Sequence, residues 1–434
     1  ETSGTQVENL SYNSDWYALG TGAIINGVTS SLTERTIMSF MGRFNYNFNE
    51  RYLLTLTGRY DGSSVLAEGN KWAFFPSIAL AWRAIEEPFV KQLNLFSDLK
   101  LRASYGEVGN DVVAPYSTQA YLNKTAYDFG GTAAYGYAPR NIGNSNLKWE
   151  NSAEYNFGLN MGFFKNRIIA DIEVYNKKTN DLIQNVAIPT SLGYGSVTAN
   201  VGKLLNKGVE VTLNTVNIQK KDFRWASSIN FSKNHNEILE LYGGTVTQDI
   251  ANSLFVGKSL RSNYYYKFAG IWQTSEAAEA AKYGQVPGSV KVVDQNNDGK
   301  ISSSTGIDDR VVLGNQLPKW MAGINNTLTY KNWDLSCFIY TRQGVQFQNS
   351  LLSGTMGELG SNRYNHLNLN YWTANNPTND YFGVWQANPY RQAIQYKEAS
   401  FWRISNLTLG YNLPKTMLSA IKFSNLRLYL QANN

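Results

Sequence analysis

Between residues 35 and 61 the chain alternates with a period of two, and no other feature restricts its fold as tightly. In RTIMSFMGRFNYNFN every second position, Met38, Phe40, Gly42, Phe44, Tyr46 and Phe48, is apolar, aromatic or glycine, while Ser39, Arg43, Asn45 and Asn47 fall between them. Successive side chains of a strand point to opposite faces, so this is one strand with one greasy and one polar face. After the tight turn NFNER the pattern resumes in RYLLTLTGRYD, with Tyr52, Leu54, Leu56 and Tyr60 set against Thr55, Thr57, Arg59 and Asp61, which predicts a hairpin. Ten further stretches repeat it: FFPSIALAWR, LKLRASYG, AEYNFGLNMGFF, RIIADIEVYN, VEVTLNTVN, RWASSINFS, WMAGINNTLTY, WDLSCFIYTR, WRISNLTLGYN and LRLYLQA. That makes about twelve strands, each near the ~9–11 residues that cross a bilayer at a tilt.

The joints between strands support a membrane barrel. They are short at NFNER, FFKNR, NIQKKDF, YKNWD and around LPKTMLSAIKFS, and long between. Short turns on one side and long loops on the other are what an outer-membrane barrel has and a soluble sandwich does not need. Lipid cannot solvate a charge, so Phe157, Leu159, Met161 and Phe163 are expected to face outward and Glu154, Asn156 and Asn160 inward. The aromatics beside the short turns, Phe44, Tyr46, Tyr52, Phe163, Phe164, Trp225, Tyr330, Trp333 and Tyr411, read as the girdle at the periplasmic interface. The expected organisation is a loop over 1–34 leading into a barrel over 35–434. Its long extracellular loops are expected at about 107–146, 178–204, 237–317 and 347–396.

Composition agrees. Aromatic residues are 14% of the 434, while charged residues are 17%, below the roughly 25% of an average soluble domain. No apolar run approaches the ~18 residues of a membrane helix, and mean hydropathy is −0.36, so a membrane span here must be built of strands. The net charge of +6 is spread without a dense basic cluster, which argues against nucleic-acid binding. The one cysteine, Cys337, lies within a strand-like stretch and reads as a small buried or lipid-facing thiol. Only His235 and His366 exist, each alone in loop-like sequence, and nothing else converges as an acid, base or nucleophile, so no enzyme is expected.

One stretch stands apart from the strands. DQNNDGKISSSTGIDDR, residues 294–310, opens like a calcium loop, with Asp294, Asn296 and Asp298 at alternate positions, Gly299 at the sharp turn and the carbonyl of Lys300 as a fourth oxygen. An EF-hand would place a bidentate Glu at the position of Thr305, so Asp308 or Asp309 would have to complete the set. Such a flexible mixture of oxygens suits calcium better than magnesium; the alternative is an Asx-rich turn without an ion. The stretch lies in the longest joint, on the side of the long loops, and SEAAEAAKYG in the same joint predicts a short helix.

Several words then occur in a fixed order: RYLLTLTGRYDGSS, WAFFPSIALAWR, LKLRASYGEVGND, NLKWENSAEYNFGLNMGFF, LNKGVEVTLN, KFAGIWQT, DQNNDGKI, DRVVLGNQLPKW and FWRISNLTLGYNLP. Through them the chain resembles the SusC/RagA-like TonB-dependent transporters of Bacteroidota outer membranes, almost end to end. The resemblance implies a barrel of about 22 strands filled by an N-terminal plug, with this chain the C-terminal part of the barrel and with the plug and TonB-contacting segment outside it. It implies active import of oligosaccharides or peptides. A SusD-like surface lipoprotein would act as lid, and TonB with ExbB and ExbD would supply energy through the N-terminal part. It also favours Asp309 over Asp308 in the loop, since the family places its acidic residue directly before the arginine. Trp16, Trp372, Tyr381, Trp385 and Tyr390 are the loop aromatics that would stack on a ligand; the alternative is that they pack the loops. Tyr264, Tyr265 and Tyr266 resemble a structural feature of the family. A passive porin and a surface adhesin or receptor without active transport are the rival readings.

Overall fold

A computed structural model describes residues 32–130, 132–189, 191, 193–352, 368–384, 388–420 and 423–434, together with four two-residue strands within 1–31. Twelve strands form one antiparallel sheet in which each pairs only with its neighbours in sequence. They are β1 (Ile37–Phe48), β2 (Tyr52–Ser63), β3 (Trp72–Trp82), β4 (Phe96–Asn110), β5 (Glu150–Phe163) and β6 (Ile168–Asn180), followed by β7 (Lys203–Gln219), β8 (Phe223–Glu240), β9 (Trp320–Tyr330), β10 (Trp333–Gln343), β11 (Phe401–Asn412) and β12 (Arg427–Asn433). Each coincides with one of the twelve alternating stretches.

The register carries each strand's alternation across the sheet. One row of paired positions runs Tyr46, Leu54, Leu80, Ala103, Phe157, Val174, Val209, apolar or aromatic over seven strands. On the opposite face a row runs Arg43, Thr57, Ser77, Gly106, Glu154, Lys177, Asn206, Asn236. A shift of one residue in any strand would exchange the two sets, so the burial of one face in lipid fixes the register. Phe40, Leu54, Leu56, Ile78, Leu80, Leu159 and Leu335 all fall on the first face, and Arg43, Arg59, Arg102 and Asn156 on the second. The alternation of FFPSIALAWR, carried to its last residue, predicts that Arg83 faces the lumen with Arg43, Arg59 and Arg102, but the strand stops at Trp82. Arg83 follows the end of β3 and donates to the Glu50 carbonyl at 3.1 Å and the Glu86 carboxylate at 3.1 Å, at the rim of the short joints. His235 is also corrected, from a loop to the outward face of β8.

The short joints hold the expected aromatics. Asn49 and Glu50 both take positive φ (52° and 55°), as the tight turn of a twisted hairpin requires. Tyr330 pairs with Trp333, whose ring lies 4.6 Å from that of Tyr411. At the other end the chain folds back on itself into two buried clusters. One joins Val65, Leu66, Phe75, Leu147 and Trp149. The other, larger, is built from the loops after β8 and β10.

Candidate functional site

The luminal wall presents a charged cluster on β4–β6. Arg102 donates to Asn160 Oδ1 at 2.8 Å, Asp171 Oδ1 at 3.0 Å and Glu173 Oε1 at 2.8 Å, and Asn160 donates to Asp171 Oδ2 at 2.7 Å. The guanidinium crosses Gly158 on the neighbouring strand, where a Cβ would come within 2.8 Å of it, so any larger residue there would make the Arg102 side chain shift. One cation between two carboxylates, all about one-third exposed, leaves a net negative, hydrated patch suited to meeting something inside the barrel.

The loops after β8 and β10 share a core made of Tyr266, Ile271, Val290, Val292, Trp372, Tyr381, Phe382, Ala393 and Ile394. Three short strand pairs frame it: Ser262–Tyr266 with Arg310–Asn315, Phe268–Ile271 with Val290–Val292, and Gln346–Gln348 with Tyr396–Glu398. The expected helix is present at Ala277–Lys282. Side chains tie one loop to the other. The Trp372 indole donates to Gln273 Oε1 at 2.9 Å, and Asn379 Oδ1 accepts the Ile271 N–H at 2.8 Å.

This packing decides the place of the candidate aromatics. Trp372 is 8% exposed and Tyr381 1%, with the Tyr381 hydroxyl donating to the Leu352 carbonyl. Tyr390 meets Tyr266 edge-on at 5.1 Å. Trp372 and Tyr381 are buried in the loop core and Tyr390 packs half-buried against it, since apolar area buried between the two long loops holds them together. Trp16 and Trp385, like His366, lie outside the described residues.

In residues 294–310 each carboxylate meets backbone N–H groups. Asp294 accepts from Asn297 (2.7 Å) and Gly299 (2.9 Å), Asn296 Oδ1 from Asp298 (3.0 Å), and Asp298 Oδ1 from Lys300 (2.8 Å). Asn297 and Gly299 take the positive φ that such a turn demands, 58° and 79°. Asp309 is fully buried and accepts from Gln295 and Ser302, both at 2.8 Å, so it staples the two ends of the loop. Among the described residues no three acidic or histidine side chains gather into a metal-sized group. Asp294, Asn296, Asp298 and Asp309 thus each direct side-chain oxygens to backbone N–H donors, that of Lys300 among them.

Asp308 points the other way, into a cluster that the sequence did not disclose. Arg310 donates to both its oxygens, at 2.9 and 2.8 Å, and the Tyr264 hydroxyl donates at 3.0 Å. Burial pushes the Asp308 carboxyl up, but the Arg310 hydrogen bonds outweigh it and hold the group below its usual value of 3.8. The Tyr264 hydroxyl is pushed up to about 12, first by burial and then by its bond to Asp308. The only sequence signal was the run DDR, which does not say which aspartate goes where.

Residues 2–434 match the family described as TonB dependent receptor-like, beta-barrel. TonB-dependent receptor P26 of Formosa agariphila is 36% identical over 422 residues, covering 94% of this chain and 42% of the relative. TonB-dependent receptor SusC of Bacteroides thetaiotaomicron is 32% identical over 416 residues, covering 89% and 39%. The RagAB peptide transporter structure superposes with a TM-score of 0.77 at 28% identity, over 96% of this chain and 46% of that one. The chain thus spans less than half the length of these relatives. With its twelve-stranded meander, alternating lipid and luminal faces and long loops at one end, the chain belongs to the TonB-dependent receptor-like β-barrels of the outer membrane.

Proposed function

We propose that this chain is the C-terminal wall of a plugged, roughly 22-stranded active importer of the SusC/RagA kind. The observation that carries the reading is the likeness to SusC and to the RagAB transporter over nearly the whole chain. Ligand enters from the side of the long loops, the plug closes the lumen against the Arg102 cluster, and TonB with ExbB and ExbD pulls the plug to release it. A SusD-like surface lipoprotein docks over the loop unit as lid. The cargo is an oligosaccharide or a peptide, and the RagAB likeness supports peptide. No reaction is catalysed.

The test uses the full-length receptor. In a planar bilayer it should be nearly closed, and uptake of labelled peptides or oligosaccharides by cells should stop when the TonB-contacting segment is removed. An open, steady current would make it a porin, and uptake indifferent to that segment would end the active-import reading. A structural calcium in residues 294–310 is proposed as well. Its support is the D-x-N-x-D-G spacing, and the backbone N–H groups are its competitors for the same oxygens.

A further inference from the structure

The lipid-facing row that is apolar from Tyr46 to Val209 ends on β8 in Lys233. The next row towards the loops runs Tyr155, Asn176, Lys207, His235, and the one above it carries Lys178 on β6. These two rows line an outward groove of about 640 Å³, apolar at Phe157, Val174 and Val209 and basic at its upper end. Lys178, Lys207 and Lys233 make no ion pair among the described residues, whereas the neighbouring acids are occupied: Glu237 by His235 at 3.0 Å, Glu107 by Tyr105 and Asn151, and Glu240 by Lys203.

Height makes this unusual. Lys233 stands eight residues above the girdle residue Trp225, roughly 20 Å along the normal for a strand rising ~3.4 Å per residue at a ~40° tilt, the outer margin of a ~25 Å apolar band. At the same eight-residue spacing from the short turns β1, β2, β3 and β5 carry aromatics, Phe40, Tyr60, Phe74 and Tyr155, and β9 and β10 carry Ala322 and Thr341. Among the described strands of the sheet, lipid-facing lysines at this height stand only on β6–β8, beside a groove that opens on the lipid face.

We propose that this groove seats a phosphorylated glycolipid of the outer leaflet, its phosphate between Lys207 and Lys233 and one acyl chain along Phe157, Val174 and Val209. Charge complementarity selects an anion, the position selects a lipid, and the apolar floor supplies a place for the chain. The site is independent of what the barrel transports.

The experiment is native mass spectrometry of the full-length receptor purified in mild detergent, titrated with lipid A and with lipid A whose phosphates have been removed. The Lys207→Glu, Lys233→Glu double variant should lose lipid by about tenfold or more, while Lys177→Glu on the luminal face should bind as the parent does. The paired Lys→Gln variants serve if the Glu forms do not give heat-modifiable barrel. Equal binding of the dephosphorylated lipid, retention by both double variants, or displacement of the lipid by millimolar inorganic phosphate alone would each overturn the proposal.

Discussion

Asp309 does at one position what the loop spacing suggested a metal would do. Its two oxygens take the N–H groups of Gln295 and Ser302, seven residues apart, and close the loop from inside. Asp309→Ala leaves both donors without their acceptor beside a buried site, at about 1–3 kcal/mol each. Protease should then cut within 294–310 faster by about tenfold or more, with the barrel still heat-modifiable. If calcium also binds, millimolar calcium should slow cutting of the parent and a chelator should reverse it; indifference to both leaves the N–H staple as the only closure. The sequence showed the acidic pair but not its division of labour. Asp309 turns into the loop and Asp308 to Arg310 and Tyr264 because Tyr264 lies 44 residues away on a strand brought in by Ser262–Tyr266 pairing with Arg310–Asn315.

At the scale of the strand, nearly everything was legible in advance, because the signal is local: a period of two needs no partner to be read. Leu54, Leu159 and Thr55 test it. Leu54 and Leu159 lie on the lipid face, two and four residues from the girdle residues Tyr52 and Phe163, and Thr55 faces inward, donating to Asn45 Oδ1 at 2.9 Å. Leu159→Arg should cost about 2–4 kcal/mol near the midplane, Leu54→Arg less because it lies nearer the interface, and both should lower the yield of folded barrel, while Thr55→Arg should assemble normally. Equal yields from all three would reverse the faces. The loops were legible only in outline. Trp372 and Tyr381 looked like exposed ligand aromatics because sequence cannot show that Gln273, 99 residues earlier, receives the Trp372 indole, or that two loops bury their rings against each other. Arg83 misled for a smaller reason, since strand parity was continued one residue past the end of β3.

For the whole molecule the decisive fact lies at the two sides of the sheet. β1 and β12 each pair with one neighbour only, and both are exposed along their entire length. In water such edges invite aggregation; in hydrocarbon every unpaired backbone group costs several kcal/mol, and a strand edge carries on the order of ten of them. Two escapes exist: β1 and β12 close on each other as a small twelve-stranded barrel, or further strands continue the wall. The first requires the sheet to curl until the charged cluster at Arg102, Asp171 and Glu173 fills a narrow lumen, and the pairing in this structure does not make that closure. The second leaves the cluster facing a wide, hydrated interior. The 434-residue chain expressed alone and refolded into lipid vesicles should therefore give aggregates or oligomers, without a heat-modifiable monomer. Co-refolding with the remaining strands of the same receptor should restore that monomer. A protease-resistant, heat-modifiable monomer from the chain alone, conducting as a small pore, would mean that β1 and β12 do meet, and the larger plugged barrel would have to be given up.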